Sequence, residues 1–151
     1  MAVSDRIIVM KNAKIAQEGS PHDLDEHPNS AFIADFIGDA NLVDCEVLES
    51  IGQTTGVRLK GKTISVPGTR LRKGNAKLVL RPHQIDLSRT ATPASFPAEV
   101  TYVVYLGNQI QDTLEGPLGS LFVTSALTTD AIAVGDSVFI AFDQQHTRLV
   151  P

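Results

Sequence analysis

Residues Gly56-Val57-Arg58-Leu59-Lys60-Gly61-Lys62-Thr63 satisfy the spacing G-x-x-x-x-G-K-T of a phosphate-binding loop. In such a loop, backbone amides wrap the phosphates at a helix N-terminus. The lysine meets the terminal phosphates and the threonine hydroxyl meets magnesium. The flanking residues forbid that context. Val57-Arg58-Leu59-Lys60 alternates like a strand, Thr63-Ile64-Ser65-Val66 is β-branched, and Pro67-Gly68 follows at once. No helix can start at Thr63, and no apolar strand ending in acids follows to hold a metal. The pattern reads as a β-hairpin turning at Gly61-Lys62.

A second cluster, His22, Asp23, Asp25, Glu26 and His27, has metal-ligating residue types. Ligands sharing a helix face need spacings of three or four, and the two histidines are five apart. A solvated acidic helix is the expected outcome. Arg81-Pro82-His83-Gln84 could meet an anion or effector at a barrel rim; otherwise it is a strand end with exposed flanks. Cys45 and His146 have no partner pattern, and no nucleophile–base set emerges from the serines, histidines and single cysteine.

Charge is divided along the chain. Residues 1–50 hold ten acids and three bases, residues 51–98 one acid and nine bases, and residues 99–151 six acids and one base. A basic middle between acidic ends can mark a nucleic-acid or anion site. Yet the segment has no aromatic residue before Phe96 on which to stack bases. The expected arrangement is one barrel in which strands from all three thirds interleave and neutralise each other. No apolar run approaches the roughly 20 residues of a bilayer span. Because Met1 leads straight to Asp5-Arg6, no secretory leader is expected. A soluble, cytosolic chain is expected.

The elements that must position these residues are short. Ile7–Met10 and Lys14–Gln17 form a two-stranded ribbon around Lys11-Asn12, marginal by itself. Ser20, Pro21 and Asp23 start a helix that Pro28 stops. A second helix begins near Ser30, with Phe32, Ile33, Phe36 and Ile37 on one face and Gly38 as a left-handed terminator. From Asn41 the period becomes two. Strands are expected at Val57–Lys60, Thr63–Val66, Lys77–Leu80, Ala98–Leu106, Gln109–Leu114, Ser120–Thr124, Val138–Phe142 and Thr147–Val150. In the long one, Val100, Tyr102, Val104 and Leu106 share a face. Turns fall at Gly74-Asn75, Gly107-Asn108 and Gly135-Asp136. Evenly spaced short strands suggest a compact β-barrel.

The words of the chain also carry a resemblance. D-R-I-I-V-M-x-N-x-K-I-A-Q-x-G-S-P at residues 5–21 resembles the last strands of the ATPase domain in bacterial ABC importers. The likeness continues through His22-Asp23-Leu24, Pro28, and Phe32–Gly38 to Asn41. There that family passes into a small OB-like regulatory domain called TOBE. Arg81-Pro82-His83 stands where the family carries R-P-E, and Tyr105-Leu106-Gly107 where it carries Y-L-G. Asp25 replaces the usual tyrosine and His83 the usual glutamate.

The resemblance implies a mainly β fold: residues 1–39 as a remnant of the ATPase domain (hairpin plus two helices) and 40–151 as the TOBE barrel. The nucleotide loop, signature motif and switch histidine would lie ahead of Met1. ATP and magnesium would then belong to the full-length subunit, and this chain would hold no cofactor or metal and hydrolyse no ATP. The implied partners are its own ATPase domain, a second copy, and an inner-membrane permease, with the assembly on the cytoplasmic face. The implied importer is of the iron(III), polyamine or sugar type, with the F-I-G-D-A-N-L stretch at residues 36–42 most like the first two. Arg81, Pro82, His83, Gln84, Gly107 and Asn108 are the expected effector or interface residues. The alternative is an OB-like domain binding single-stranded nucleic acid or a small anion; the acidic ends disfavour nucleic acid.

Overall fold

In a computed structural model, residues 3–68, 71–126 and 132–151 are described. The chain opens with the antiparallel pair β1 (Ile7–Lys11) and β2 (Lys14–Gly19). Its turn sits at Asn12-Ala13, both at positive φ, one residue beyond the expected place. Two short helices follow, α1 (Pro21–Glu26) and α2 (Ala31–Ile37). Ser20 caps α1 as its composition requires: Oγ accepts from the Asp23 amide, and the Asp23 carboxylate accepts from the Ser20 amide.

The remaining strands are β3 (Asn41–Ile51), β4 (Thr54–Leu59), β5 (Lys62–Pro67), β6 (Gly74–Leu80), β7 (Ile85–Ser88) and β8 (Phe96–Tyr105). After them come β9 (Gln109–Gly116), β10 (Gly119–Ala126), β11 (Ser137–Phe142) and β12 (Arg148–Val150). They form two antiparallel five-stranded sheets, ordered β12-β6-β3-β4-β5 and β10-β9-β8-β11-β7. Their inner faces share one core. Val47, Val57, Leu59 and Leu78 from the first sheet meet Val100, Leu114, Leu121 and Ile140 from the second. Each such side chain, removed from water, contributes roughly 1.5–3 kcal/mol before chain entropy is counted. The fold is the expected mainly β, OB-like architecture, with curled sheets around a single interior.

Sheet edges are closed by side chains. The amide of Ser65 on edge strand β5 donates to Gln144 Oε1 at 3.0 Å. On edge strand β10, the Asn41 side chain grips the Phe122 peptide from both sides. Both contacts occupy backbone groups that would otherwise invite another strand.

Four local expectations change. The β4–β5 turn lies at Lys60-Gly61, where φ is 46° and 85°, so Lys62 opens a strand instead of ending a loop. Strand β6 begins at Gly74, which was expected to turn. In β8 a bulge between Val100 and Tyr102 reverses the alternation, so Val100 is buried while Tyr102 is exposed and Val103 packs inward. Gly38 is extended, with φ −170°, and therefore does not end α2 in the left-handed manner.

The α2 stripe also divides. Ile33 packs with Val9 and Leu24 under the ribbon. Ala34 packs with Val79 and Val150 on the outer face of the first sheet. Phe36 remains exposed and stacks on Phe32 with centroids 5.6 Å apart. The helix is thus a layer between ribbon and barrel, buried on two adjacent sides.

Candidate interface site at the Arg81 end of the barrel

Strands β6 and β12 are antiparallel neighbours, with Arg148 opposite Val79. Alternation then puts Val79, Arg81 and Arg148 on one face, the face that meets the helices. Arg81 is only 7% exposed. Its Nη1 donates to the carbonyls of Ala34, at 3.0 Å, and Gly38. Its Nη2 donates to the Asp25 carbonyl at 2.7 Å and pairs with the Asp25 carboxylate at 2.8 Å. One residue along, Glu26 receives the same treatment from Arg148: Nε donates to its carbonyl at 3.0 Å and Nη2 to its carboxylate at 3.2 Å.

These contacts resolve a local conflict in α1. A helix C-terminus carries partial negative charge, and acids there are unfavourable. This helix ends on Asp25 and Glu26 with no base in its last turn. Two arginines from the barrel supply the missing positive charge and cap carbonyls that a short helix leaves open. The acidic cluster is therefore largely committed: Asp23 caps α1, Asp25 pairs with Arg81, and Glu26 pairs with Arg148. That corrects the expectation of a merely solvated acidic helix.

Arg81, then, faces inward to α1 and α2, where its guanidinium is occupied, and not outward to a rim. Pro82 is buried and opens a single-turn 3-10 helix, Pro82–Gln84. His83 is exposed. Gln84 lines a small cleft with Asp25, Glu26, Arg81, His146 and Arg148, and its Oε1 is buried without a partner among the described residues. Gly107 (φ 90°) and Asn108 form an exposed turn that does not line this cleft.

The residues of the phosphate-loop pattern have other work. Lys62 Nζ donates to the carbonyls of Pro93, at 2.9 Å, and Ser95. It also stands 4.7 Å from the centroid of the Phe96 ring. The lysine ties a loop to the barrel, and Thr63 lies within β5. The basic middle third likewise meets the acidic ends: Arg58 pairs with Glu46, Lys77 with Asp44, Arg81 with Asp25, and Arg89 with Asp136. The interleaving expected from the charge pattern is observed. Burial raises the Cys45 thiol to about 11, so it stays protonated at neutral pH.

One titratable group was not singled out by sequence. Asp112 lies in β9 between Ile110 and Leu114, in the apolar phase of the strand, and is 1% exposed. Its Oδ1 has no hydrogen-bond partner among the described residues, and burial raises its pKa. The folded chain holds this proton more tightly than the unfolded chain. The associated stability is full below the ordinary carboxylate range near 3.9 and is lost as pH rises through the folded-state value. Asp112→Leu is expected to stabilise the chain by about 1–2 kcal/mol at pH 7, with the gap closing toward pH 4. Urea unfolding at both pH values checks this; a pH-independent difference would refute it.

Comparison with known proteins gives the geometry its context. The TOBE domain family matches residues 78–150. The Fe(3+) ions import ATP-binding protein FbpC 1 of Rhizobium meliloti is 43% identical over 150 residues, covering 99% of this chain and 42% of that protein. FbpC of Brucella abortus is 41% identical with the same coverage. The spermidine/putrescine import ATP-binding protein PotA of Ruegeria pomeroyi is 33% identical over 155 residues, again covering 99% of this chain and 42% of that protein. The chain thus spans well under half the length of these relatives. Among solved structures, the cytoplasmic molybdate-binding protein ModG aligns with a TM-score of 0.56 and 18% identity, covering 74% of this chain and 96% of that one. That likeness concerns the fold alone. Among the described residues, no helix is long and apolar enough to cross a membrane. With a TOBE match over its second half and importer ATP-binding subunits matching along its whole length, the chain belongs to the C-terminal, TOBE-bearing region of bacterial ABC importer ATP-binding subunits.

Proposed function

We propose that this chain is the regulatory and dimerisation module of the ATP-binding subunit of an iron(III) importer. Residues 1–39 are read as the end of the ATPase domain and residues 40–151 as the regulatory barrel. The observation that carries the reading is the 43% identity to an Fe(3+) import ATP-binding protein over nearly the whole chain, against 33% to the polyamine relative. The ribbon supports it: Ile8, Met10 and Ile15 are exposed on its outer side, where the remainder of an ATPase domain would cover them. ATP and magnesium then bind in that remainder, and hydrolysis occurs there. The partners are that domain, a second copy of the subunit, and an inner-membrane permease, with the whole on the cytoplasmic face. The exposed His83 and the Gly107-Asn108 turn are the positions left open to an effector or a second subunit. Pairing of the basic residues with carboxylates weighs against nucleic acid as ligand.

Deleting the coding region of this chain in its host is expected to abolish energy-dependent ferric ion uptake while leaving spermidine uptake intact. Loss of spermidine uptake alone would transfer the solute assignment to polyamines. Unchanged uptake of both would end the importer reading.

A further inference from the structure

The helical layer touches the barrel through an apolar contact and a polar one. The apolar part joins Ala31, Ala34, Ala40 and Leu42 to Val79 and Val150. Five of these six side chains are alanine or valine, too small to fix the direction of a helix by interdigitation. The polar part is the pair of guanidiniums, each holding a carbonyl and the carboxylate of successive residues at the negative end of α1. Arg81 reaches further, to the last turn of α2 at Ala34 and to Gly38 beyond it.

We propose that Arg81 and Arg148 act as a two-point clamp that makes the order of α1, and the direction of α2, conditional on the barrel. The reasoning is electrostatic and local. With six residues, α1 is far below the length at which a helix is stable alone. Its last turn carries two carboxylates against the helix dipole, so it is held by tertiary charge. A guanidinium suits the task because its planar fork satisfies carbonyl and carboxylate oxygens together, which an ammonium cannot do in one geometry. The two anchors lie on neighbouring strands, so a twist of β6 against β12 moves both ends of the clamp. In a subunit of the kind proposed above, this is the route by which a change in the barrel reaches the ATPase side. That last step rests on the functional reading; the clamp itself does not.

Amide hydrogen exchange measured by NMR on the chain tests the clamp. In Arg81→Gln, the amides of Leu24, His27 and Ala34 are expected to exchange at least about tenfold faster, while Val100 and Leu114 in the barrel keep wild-type protection. Arg148→Gln should accelerate Leu24 and His27 but spare Ala34, because only Arg81 reaches α2. Arg81→Lys keeps the charge but cannot satisfy carbonyls and carboxylate together, and should accelerate the same α1 amides should Arg81→Gln not fold. Equal acceleration of helices and barrel would overturn the proposal, since Arg81 would then be an ordinary part of one cooperative core. Unchanged protection of α1 in Arg81→Lys and in Arg148→Gln would overturn it as well.

Discussion

Gly116→Ala is expected to lower stability by about 2–3 kcal/mol, the order of cost of forcing backbone shifts between tightly packed strands. Gly116 closes β9, and its φ is not in the left-handed region, so conformational freedom is not the reason for glycine there. The reason is space. A Cβ at this position would lie 2.6 Å from the Pro97 carbonyl oxygen, 3.2 Å from Ala98 Cα and 3.3 Å from Ala98 Cβ. All three belong to β8, and two are backbone atoms that cannot rotate away. Pro97 and Ala98 are also paired with Phe139 and Val138 of β11, so β8 can yield only by loosening its other neighbour. Gly119, three residues on, supplies the control. It has φ 92° and nothing within 4 Å of an added Cβ, so Gly119→Ala should cost only the roughly 1–2 kcal/mol of a left-handed non-glycine residue. Thermal unfolding should place Gly116→Ala roughly 5–10 °C below the parent, at about 2–4 °C per kcal/mol for a chain of this size. A loss no larger than that of Gly119→Ala would show that the strands do not approach so closely.

The contrast between these glycines bears on what the sequence discloses. Turn residues announce themselves because their cause is local: Gly107-Asn108 stands where the pattern puts it, the Gly135 turn is centred one residue early at Val134-Gly135, and the Ser20–Asp23 cap follows from four adjacent residues. Most strands were likewise legible from period-two alternation, but β3 (Asn41–Ile51) and β7 (Ile85–Ser88) are not among the expected ones. Strand phase was not legible, because the β8 bulge adds one residue that no composition signals, and everything after Val100 points the other way. The β4–β5 turn moved by one residue for a related reason. Lys60 adopts a positive φ to match the strand twist, and alternation alone does not reveal it.

The candidate site was legible in position and misread in direction. Arg81 stands among the expected effector or interface residues, but the acceptors it meets lie 43 to 56 residues away in the chain. Arg148 was not singled out, and its partner Glu26 is 122 residues distant. The available signal was the oddity of α1, a helix ending on two acids, one of them at a position where the importer family usually has tyrosine. A charge pattern that is wrong for a helix alone is a request for a tertiary partner. Asp112 offered a similar sign, an acid in the apolar phase of a strand, and was passed over inside an otherwise ordinary run.

Asn41 carries the second large prediction and shows how the two sheets are joined. It opens β3, pairs with Leu80 on one side, and turns its amide toward β10 of the other sheet. Nδ2 donates to the Phe122 carbonyl and Oδ1 accepts from the Phe122 amide, both at 2.7 Å, while the residue is 4% exposed. A primary amide presents donor and acceptor side by side, as a neighbouring strand would. Asn41→Leu should therefore cost about 3–4 kcal/mol, because it leaves two partly buried backbone groups unsatisfied at about 1–3 kcal/mol each. The N41D variant gives a sharper test. Ionised, it keeps an acceptor for the Phe122 amide but faces the Phe122 carbonyl with a second oxygen. Protonated, its hydroxyl can donate to that carbonyl and restore both bonds. The folded state should thus raise the new carboxyl's pKa, so that stability relative to the parent is best below the ordinary carboxylate range and falls as pH rises through the folded value. Denaturant unfolding of N41D and N41L at pH 4 and pH 7 separates the cases. The aspartate variant should recover much of its loss at the lower pH, and the leucine variant none. If both respond to pH alike, the amide does not bridge the sheets, and the barrel must be closed by apolar packing alone.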